Sequence, residues 1–243
     1  MPTALITGAS RGFGRALAQG LALRDWTLVV DARGREELDE AARELAAVTE
    51  VIALAGDVSD PAHRRELADA VARCGGLDVL VNNASHLGPS PQPRLRDYPL
   101  EELERVYAVD VFAPLALCRL LLPLLEASDG GGAVVNLSSD AAVEAYPGWG
   151  GYGSAKAALD QWGAVLAAEH PGLRVYAFDP GDMRTAMHQQ AFPGEDISDR
   201  PEPASVVPAL LHLLGTRPAS GRYRAGDLLL SLAEAAGQAG GPG

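Results

Sequence analysis

The 243-residue chain has few cysteines and no excess of positive charge. Its two cysteines, Cys74 and Cys118, are too few for a disulfide framework or a thiolate zinc site, so we expect a reducing compartment and no metal. Its 20 Lys and Arg residues against 32 Asp and Glu give a formal net charge of −12, whereas surfaces that bind nucleic acids or anionic membranes need clustered positive charge. We therefore expect neither nucleic acid nor membrane as a partner.

Long apolar runs are also missing. The most apolar segment, residues 115–125, is too short to span a bilayer and contains Arg119 and Pro123. The first residues, MPTALITGAS, lack the basic start and the apolar stretch of a signal peptide. With 47% hydrophobic residues the chain can nevertheless bury a core, so we expect a folded, cytoplasmic protein.

Short β-rich segments alternate with longer segments of helical periodicity. The predicted strands cover residues 4–6, 27–31, 51–55, 77–81, 133–138 and 173–179. After a first helix with its stripe at Phe13, Leu17 and Leu21, the predicted helices cover 36–47, 61–74, 100–126, 153–169 and 204–214, the last clear one. Strands joined by such helices need crossovers, so we predict one α/β domain with a doubly wound parallel sheet and helices on both faces.

Two segments stand apart from this alternation. Residues 183–203 are too long and too rich in proline, glycine and charge for an ordinary connection, and their composition opposes regular structure. We predict that they form a mobile lid over a substrate. Residues 237–243 are predicted to be a disordered tail.

A glycine-rich segment, TGASRGFG at residues 7–14, follows the first predicted strand and opens the first predicted helix. Glycines at such a turn let the backbone approach a pyrophosphate, whose charge the helix amino end stabilises. Because both the strand and the helix are present, the segment predicts a dinucleotide cofactor.

Tyr152 and Lys156 lie four residues apart at the start of a predicted helix, which places their Cβ atoms on one face, roughly 6 Å apart. An ammonium there favours the phenolate and lowers the pKa of Tyr152 from about 10 toward working pH, as a general acid–base requires. Taken alone, the pair is equally an ordinary tyrosine and lysine on a helix.

Further motifs supply the context: Asp57-Val58, the segment NNA at 82–84, NLSS at 136–139, and Pro180-Gly181 with Thr185. In this order and spacing, together with the glycine segment and Tyr152-x-x-x-Lys156, they make the chain resemble the short-chain dehydrogenase/reductase family over essentially its whole length. The resemblance implies a single Rossmann-type domain and hydride transfer between a nicotinamide and a carbonyl or alcohol. It also implies a homodimer or homotetramer built through residues 100–126 and 153–169.

The resemblance assigns roles to individual residues. Tyr152 would protonate the carbonyl oxygen, Ser139 would donate a hydrogen bond to that oxygen, and Lys156 would hold the nicotinamide ribose. The catalytic residues that it implies are Ser139, Tyr152, Lys156 and Asp110. The cofactor-binding residues that it implies are Gly8, Ser10, Arg11, Gly12, Phe13, Gly14, Arg33, Asp57, Val58, Asn83, Ala84, Tyr152, Lys156, Pro180, Gly181, Met183 and Thr185, with Asn83 and Ala84 on the adenosine side.

Two positions depart from the family pattern. Ser85 replaces a glycine, which we expect to change little beyond local backbone freedom. Asp110 replaces the asparagine that keeps a relay water beside the lysine, and it lies on an otherwise apolar helix face, where a carboxylate must be paired, hydrogen-bonded or neutral. Either Asp110 approaches Lys156 and raises the pKa of Tyr152, or only the backbone carbonyl of residue 110 serves the relay.

Cofactor preference depends on the end of the second predicted strand, where an acidic residue selects NAD and an arginine accommodates the 2′-phosphate of NADP. Aligned on the family, Ala32 takes the place of the acidic residue and Arg33 that of the arginine, with Arg11 as a second cation. Asp31 lies one residue early, so its side chain should point to the other side of the strand. We predict NADP, with NAD as the alternative because a one-residue shift would reverse the assignment.

We therefore predict an NADP-preferring oxidoreductase with a neutral carbonyl or alcohol substrate, since the expected lid contacts, Met183, Met187, His188 and Phe192, are mostly apolar. Tyr146 and Trp149 are equally interpreted as pocket wall or as loop packing. Two alternatives stay open: a redox-sensing protein of the same fold without turnover, and an enzyme that uses the nicotinamide for epimerisation or dehydration.

Overall fold

A computed structural model describes residues 1–239 of the chain, and its centre is a seven-stranded parallel sheet in the order β3-β2-β1-β4-β5-β6-β7. The strands are β1 Thr3–Ile6, β2 Thr27–Ala32, β3 Val51–Ala55, β4 Val79–Asn82, β5 Ala133–Leu137, β6 Arg174–Asp179 and β7 Gly221–Arg224. The helices are α1 Gly12–Ala22, α2 Arg35–Ala46, α3 Pro61–Arg73, α4 Leu100–Tyr107, α5 Ala113–Glu126, α6 Gly150–Glu169, α7 Ala186–Ala191, α8 Pro203–Thr216 and α9 Ala225–Ala239. The predicted doubly wound parallel sheet is confirmed.

Side chains that alternate along each strand build two separate core layers. On β1, Ile6 packs into the layer formed with α1, α2 and α8, whereas its neighbour Leu5 packs into the layer formed with α3, α5 and α6. Such strands are apolar on both faces because helices cover both sides of a parallel sheet. The sheet order reverses at β1, so a crevice opens between the carboxyl ends of β1 and β4.

The carboxyl-terminal part of the chain contains more regular structure than we predicted. The helix at 204–214 is not the last, because β7 extends the sheet beyond β6 and α9 follows it. Residues 183–203 include the six-residue helix α7, so this segment is not irregular throughout. Of the predicted tail, residues 237–239 belong to α9, and residues 240–243 lie outside the described part of the chain.

Helices α4 and α5 are joined without a break by a π-helical turn, Ala108–Phe112. Pro114 has no N–H to donate to the carbonyl of Asp110 four residues earlier, which accounts for the widened turn. By length and composition the continuous helical segment Leu100–Glu126, 27 residues long, is apolar enough to cross a membrane. A helix that packs on a sheet passes the same test, and Leu117, Leu121 and Leu125 of α5 are buried in the core.

Candidate active site

A cleft of about 1280 Å³ follows the carboxyl ends of the strands from β2 to β6. It is lined by all but two of the site residues predicted from the sequence. The exceptions are Gly14, which packs beneath the glycine loop, and Asp110, which is fully buried behind Lys156. His86, His188, Tyr146 and Trp149 also line the cleft.

The glycines of the first loop serve two different purposes. A Cβ on Gly14 would lie 2.5 Å from the Gly8 carbonyl oxygen, so this glycine allows the loop to close on its own helix. Gly12 has φ +58°, and a Cβ there would meet only the Thr185 side chain, at 3.6 Å, so its surface faces the open cleft. Within residues 1–239 no side chain caps the amino end of α1. These free N–H groups beside the cleft fit the pyrophosphate of a dinucleotide.

Thr7 and Asn83 tie the glycine loop to the end of β4. The Thr7 hydroxyl oxygen accepts hydrogen bonds from the backbone N–H groups of Asn83 and Ala84, both at 3.0 Å. The Asn83 amide donates to the carbonyls of Thr7 and Gly8, at 2.8 and 3.0 Å. The Asn83 side chain, expected on the adenosine side, is thus occupied in positioning the loop. Thr7 was part of the motif, but we did not predict this role for it.

Asp31 is buried and points toward α3, as its place in the strand predicted. One carboxylate oxygen accepts the Gly8 N–H at 2.8 Å and the other lies 3.1 Å from Nε2 of His63. Both oxygens are therefore occupied, one by the glycine loop and one by α3, so this aspartate does not present a free carboxylate to a ribose. Ala32, Arg33 and Arg11 line the same end of the cleft.

Tyr152, Lys156 and Ser139 meet at the middle of the cleft. Lys156 Nζ lies 5.4 Å from the centroid of the Tyr152 ring and donates to the Leu137 carbonyl at 2.9 Å. The Ser139 hydroxyl donates to the neighbouring Asp140 carboxylate at 2.9 Å. The lysine is 2% exposed and the tyrosine 8%, so their charges act on each other with little screening by water.

Asp110 does approach the lysine, with Oδ2 3.6 Å from Lys156 Nζ. Burial raises the pKa of Asp110, against the effect of the Lys156 ammonium. The pKa of Tyr152 is raised rather than lowered, because burial and the Asp110 charge outweigh the lysine. The expectation that the Lys156 ammonium lowers the tyrosine pKa is therefore wrong for this geometry, whereas the alternative in which Asp110 approaches Lys156 and raises the pKa of Tyr152 agrees with it. The serine at position 85 also changes more than local backbone freedom, because its hydroxyl donates a hydrogen bond to Asp110 at 2.8 Å.

A second charged cluster lies directly behind Ser139. Arg222 of β7 donates to the Ser139 carbonyl at 2.8 Å and to the Asp179 carboxylate at 2.9 Å. Its other nitrogen donates to Asp160 at 2.6 Å, and Asp160 accepts the Ser138 hydroxyl at 2.8 Å. This arginine connects β5, β6 and α6 at the active site. Arg222 was not predicted as a site residue because strand β7, which carries it, was not predicted either.

Aromatic side chains form the far wall of the cleft. Trp149 packs against the rings of Tyr152 and Phe192, with centroid distances of 5.9 and 5.8 Å. Trp149 is therefore pocket wall. Tyr146 lines the cleft as well, and its hydroxyl donates to Asp140 at 3.1 Å. An acidic group thus lies beside Ser139, a feature that the sequence motifs did not predict.

Comparison with known proteins agrees with this geometry. The family model described as short chain dehydrogenase matches residues 2–196. The chain is 37% identical to sepiapterin reductase of Mus musculus over 199 residues, which cover 77% of this chain and 76% of the relative. It is 33% identical to benzil reductase ((S)-benzoin forming) of Saccharomyces cerevisiae over 214 residues, which cover 85% of this chain and 79% of the relative.

A solved structure extends the agreement to the fold. A short chain dehydrogenase from Shigella flexneri, in complex with NADP, superimposes with a TM-score of 0.85 at 30% identity, covering 92% of this chain and 96% of that one. The predicted family and the predicted oxidoreductase activity are confirmed. The chain belongs to the short-chain dehydrogenase/reductase family, and it is an NAD(P)-dependent oxidoreductase that acts on carbonyl or alcohol groups.

Proposed function

We propose that this protein is an NADP-dependent carbonyl reductase in which Tyr152 is the general acid. The observation that carries the proposal is the meeting of Ser139, Tyr152 and Lys156 in one cleft that begins at the uncapped amino end of α1. A nicotinamide cofactor, when bound, supplies the hydride. The chain itself must bind that cofactor, orient the carbonyl and provide one proton.

Three features support NADP over NAD. Arg11 and Arg33 line the nucleotide end of the cleft and provide the positive charge that a 2′-phosphate requires. Asp31 is committed to Gly8 and His63 and so does not select the 2′-hydroxyl of NAD. The related enzyme from Shigella flexneri was solved with NADP.

The proton is held at the Tyr152 hydroxyl. Ser139 and Tyr152 both present hydroxyls to the cleft, where they can bind the oxygen of a carbonyl. As negative charge develops on that oxygen, the phenol transfers its proton and the Lys156 ammonium stabilises the phenolate that remains. Because burial raises the pKa of Tyr152, the phenol is the predominant form at neutral pH. That form suits reduction, whereas alcohol oxidation needs higher pH.

The substrate pocket favours a neutral compound with an apolar or aromatic group. Trp149, Phe192 and Met187 provide the apolar wall. Asp140 lies at the carbonyl end, bonded to Ser139 and Tyr146, and its charge disfavours a carboxylate on the substrate. Residues 183–203 act as a lid, because the segment carries Met187 and Phe192 over the cleft. Slower proteolysis of this segment in the presence of cofactor and substrate tests the closure.

The assembly is a homodimer or homotetramer formed through α4, α5 and α6. Phe112 is 60% exposed, Leu120 is 44% exposed and Val165 is 45% exposed, which leaves apolar surface for another copy of the chain. Light scattering that shows a monomer at micromolar concentration would contradict this assembly. We place the protein in the cytoplasm, consistent with its free cysteines, Cys74 and Cys118.

The decisive experiment is cofactor consumption with a panel of ketones and aldehydes, for the wild type and for Tyr152→Phe. We expect turnover of the variant to fall by about 10²- to 10⁴-fold, because the transferable proton is gone. Its affinity for NADPH should stay within a few-fold of the wild type, because the phenylalanine ring still packs in the same place. Tyr107→Phe, which removes a hydroxyl outside the cleft, is the matched control. Full activity of Tyr152→Phe contradicts the proposed acid.

The two other functions predict different results in the same assay. A redox-sensing protein binds NADPH without consuming it, and an epimerase or dehydratase transforms substrate without net cofactor oxidation. No described feature of residues 1–239 favours the first of these, since Ser139, Tyr152 and Lys156 are all present in the cleft.

A further inference from the structure

The Ser139 hydroxyl, whose proposed task is to bind the substrate carbonyl, is already engaged by the protein itself. It donates to Oδ1 of Asp140 at 2.9 Å, and its oxygen accepts the Ala141 N–H at 3.2 Å. A serine hydroxyl carries one proton, so while it donates to the carboxylate it cannot also donate to a carbonyl oxygen. Asp140 therefore competes with the substrate for the proton that Ser139 offers.

Both partners of this hydrogen bond are held in place by further contacts. Arg222 donates to the Ser139 carbonyl at 2.8 Å, which fixes the backbone of the serine. The Asp140 carboxylate accepts the Ala141 N–H at Oδ1, at 2.8 Å, and the Tyr146 hydroxyl at Oδ2, at 3.1 Å. The Ser139 proton is thus released by rotation of the hydroxyl, without movement of the segment that carries it.

Oδ1 of Asp140 is the atom at which a substrate can release the serine. A carboxylate oxygen has two lone pairs, and the Ser139 hydroxyl and the Ala141 N–H occupy both. The Ala141 N–H belongs to the backbone and stays, so a donor that arrives at Oδ1 takes the place of the Ser139 hydroxyl. Since Asp140 lines the cleft beside Ser139, a group on the substrate can reach it.

We propose that Asp140 is a specificity-determining residue and that the substrate carries a hydroxyl or N–H on the carbon next to its carbonyl. The proposal rests on the proposed function as a carbonyl reductase. Oxygens on two neighbouring carbons can lie about one hydrogen-bond length apart, which matches the 2.9 Å between Ser139 Oγ and Asp140 Oδ1.

The order of contacts follows from this match. The neighbouring group of the substrate donates to Asp140, the released Ser139 hydroxyl donates to the carbonyl oxygen, and Tyr152 supplies the proton for reduction. A simple ketone has no second donor, so it must break the bond from Ser139 to Asp140 without replacing it. The carboxylate thereby disfavours simple ketones and favours ketones that carry a donor beside the carbonyl.

Three ketones that share an aromatic ring, suited to the wall of Trp149 and Phe192, provide the test. The donor is present in 2-hydroxyacetophenone and is replaced by a methyl group in propiophenone, whereas 2-methoxyacetophenone keeps the oxygen but cannot donate. Their kcat/KM values with NADPH are compared for the wild type and Asp140→Ala. Glu144→Gln, which neutralises an exposed carboxylate of the same segment outside the cleft, is the matched control.

We expect the wild type to prefer 2-hydroxyacetophenone over 2-methoxyacetophenone by at least about tenfold in kcat/KM, as for a hydrogen bond to a charged group. In Asp140→Ala this preference should fall to about threefold or less, because the acceptor is gone. In the same variant kcat/KM for propiophenone should rise, because the Ser139 hydroxyl is free to donate to its carbonyl. Glu144→Gln should keep the wild-type preference.

Two results would overturn the proposal. One is a wild type that does not distinguish the hydroxy from the methoxy ketone, and the other is an Asp140→Ala variant in which all three ketones lose activity by the same factor. Asp140→Asn, which keeps the shape of the side chain and removes its charge, replaces Asp140→Ala if that variant does not fold, and it should weaken the preference in the same direction.

A binding measurement separates this inference from the proposed function. Calorimetric titration of NADPH-loaded Tyr152→Phe gives the affinities for the hydroxy and methoxy ketones, with and without Asp140→Ala. If the wild type reduces no ketone but the difference in affinity depends on Asp140, the proposed function fails and the recognition by Asp140 stands. If reduction depends on Tyr152 but neither affinity nor kcat/KM distinguishes the two ketones, the reverse holds.

Discussion

The two ends of the cleft are held together by different forces. At the nucleotide end, Thr7 and Asn83 bind the glycine loop through neutral hydrogen bonds. At the other end, around the proposed general acid Tyr152 and called the catalytic end below, Lys156 lies against Asp110. There Arg222 also bridges the carboxylates of Asp160 and Asp179. A neutral hydrogen bond contributes about 1 kcal/mol net, whereas removing one member of a buried ion pair costs roughly 3–5 kcal/mol because the other charge is left unpaired. Substitutions at the catalytic end should therefore have the larger effects on stability.

The largest effect is expected for Arg222→Met. The substitution leaves the carboxylates of Asp160 and Asp179 without their shared cation and removes the donor to the Ser139 carbonyl. We expect a loss of about 3 kcal/mol in the free energy of unfolding at pH 7 and a smaller loss near pH 4, where carboxylates gain protons. Urea unfolding measures both. Arg224→Met, which changes the exposed last residue of the same strand, is the control, and a loss below about 1 kcal/mol for Arg222→Met would remove the contrast between the two ends.

Thr7→Val tests the neutral end with a substitution of similar shape. Two backbone N–H groups, those of Asn83 and Ala84, lose their acceptor. We expect a loss of about 2 kcal/mol in stability and weaker NADP binding, because the loop is less firmly positioned. Calorimetric titration and urea unfolding provide the measurements, and Thr7→Ser, which keeps the oxygen, should retain most of both.

Arg33→Ala should change affinity and leave stability nearly unchanged, because the side chain is exposed at the rim of the cleft. The loss of a charge-assisted bond to a 2′-phosphate weakens NADPH binding by roughly 1.5 kcal/mol, about tenfold, with little effect on NADH. Fluorescence titration with both cofactors measures the ratio. Arg35→Ala serves as the control. A wild type that prefers NADH would show that the register assumed at Ala32 and Arg33 is wrong.

The smallest effect concerns the buried pair of Asp31 and His63 at the nucleotide end. The hydrogen bond to Asp31 raises the pKa of His63 above the usual value of about 6.5. Stability from a raised histidine pKa is fully present below pH 6.5 and is lost as pH rises through the folded-state pKa. The wild type should therefore lose stability relative to His63→Gln between pH 6 and 9. The expected loss is about 1.4 kcal/mol for each pH unit that separates the folded-state pKa of His63 from its unfolded-state pKa.

Thermal unfolding across this pH range measures the difference. Glu66, Asp57 and Asp60 also face His63. His170→Gln, which removes a partly buried histidine 2.8 Å from Glu126, is the matched control. A pH profile of His63→Gln parallel to that of the wild type would mean that this pair carries no titrating charge.

Most of the sheet was predictable because buried parallel strands are continuous apolar runs between helices of clear periodicity. Strand β7 was not, because its four residues, Gly221–Arg224, are polar and lie at the sheet edge. Helix α9 has the apolar residues Leu228 and Leu229, a signal that could have been found in the sequence. Helix α7 was not predicted because the prolines and glycines near it indicated an irregular segment.

At the site, the sequence motifs identified the residues that line the cleft but not the bonds between them. The pairing of Ser85 with Asp110 depends on how the loop after β4 meets the π-helical turn, which no local spacing encodes. For a similar reason the raised pKa of Tyr152 was predicted only as one of two alternatives for Asp110. Spacing on one helix reveals Lys156, whereas burial and Asp110 come from the tertiary structure.

The hydrogen bond from Arg222 to the Ser139 carbonyl joins residues that are synthesised far apart in time. Every side chain that positions the glycine loop, from Thr7 to Asn83, is made before the middle of the chain, whereas the bond to Ser139 spans 83 residues and waits for β7. During synthesis from the amino terminus, the nucleotide end can therefore take shape well before the serine is held in place. A growing chain therefore contains the side chains that position the glycine loop before it contains the arginine that holds the Ser139 carbonyl.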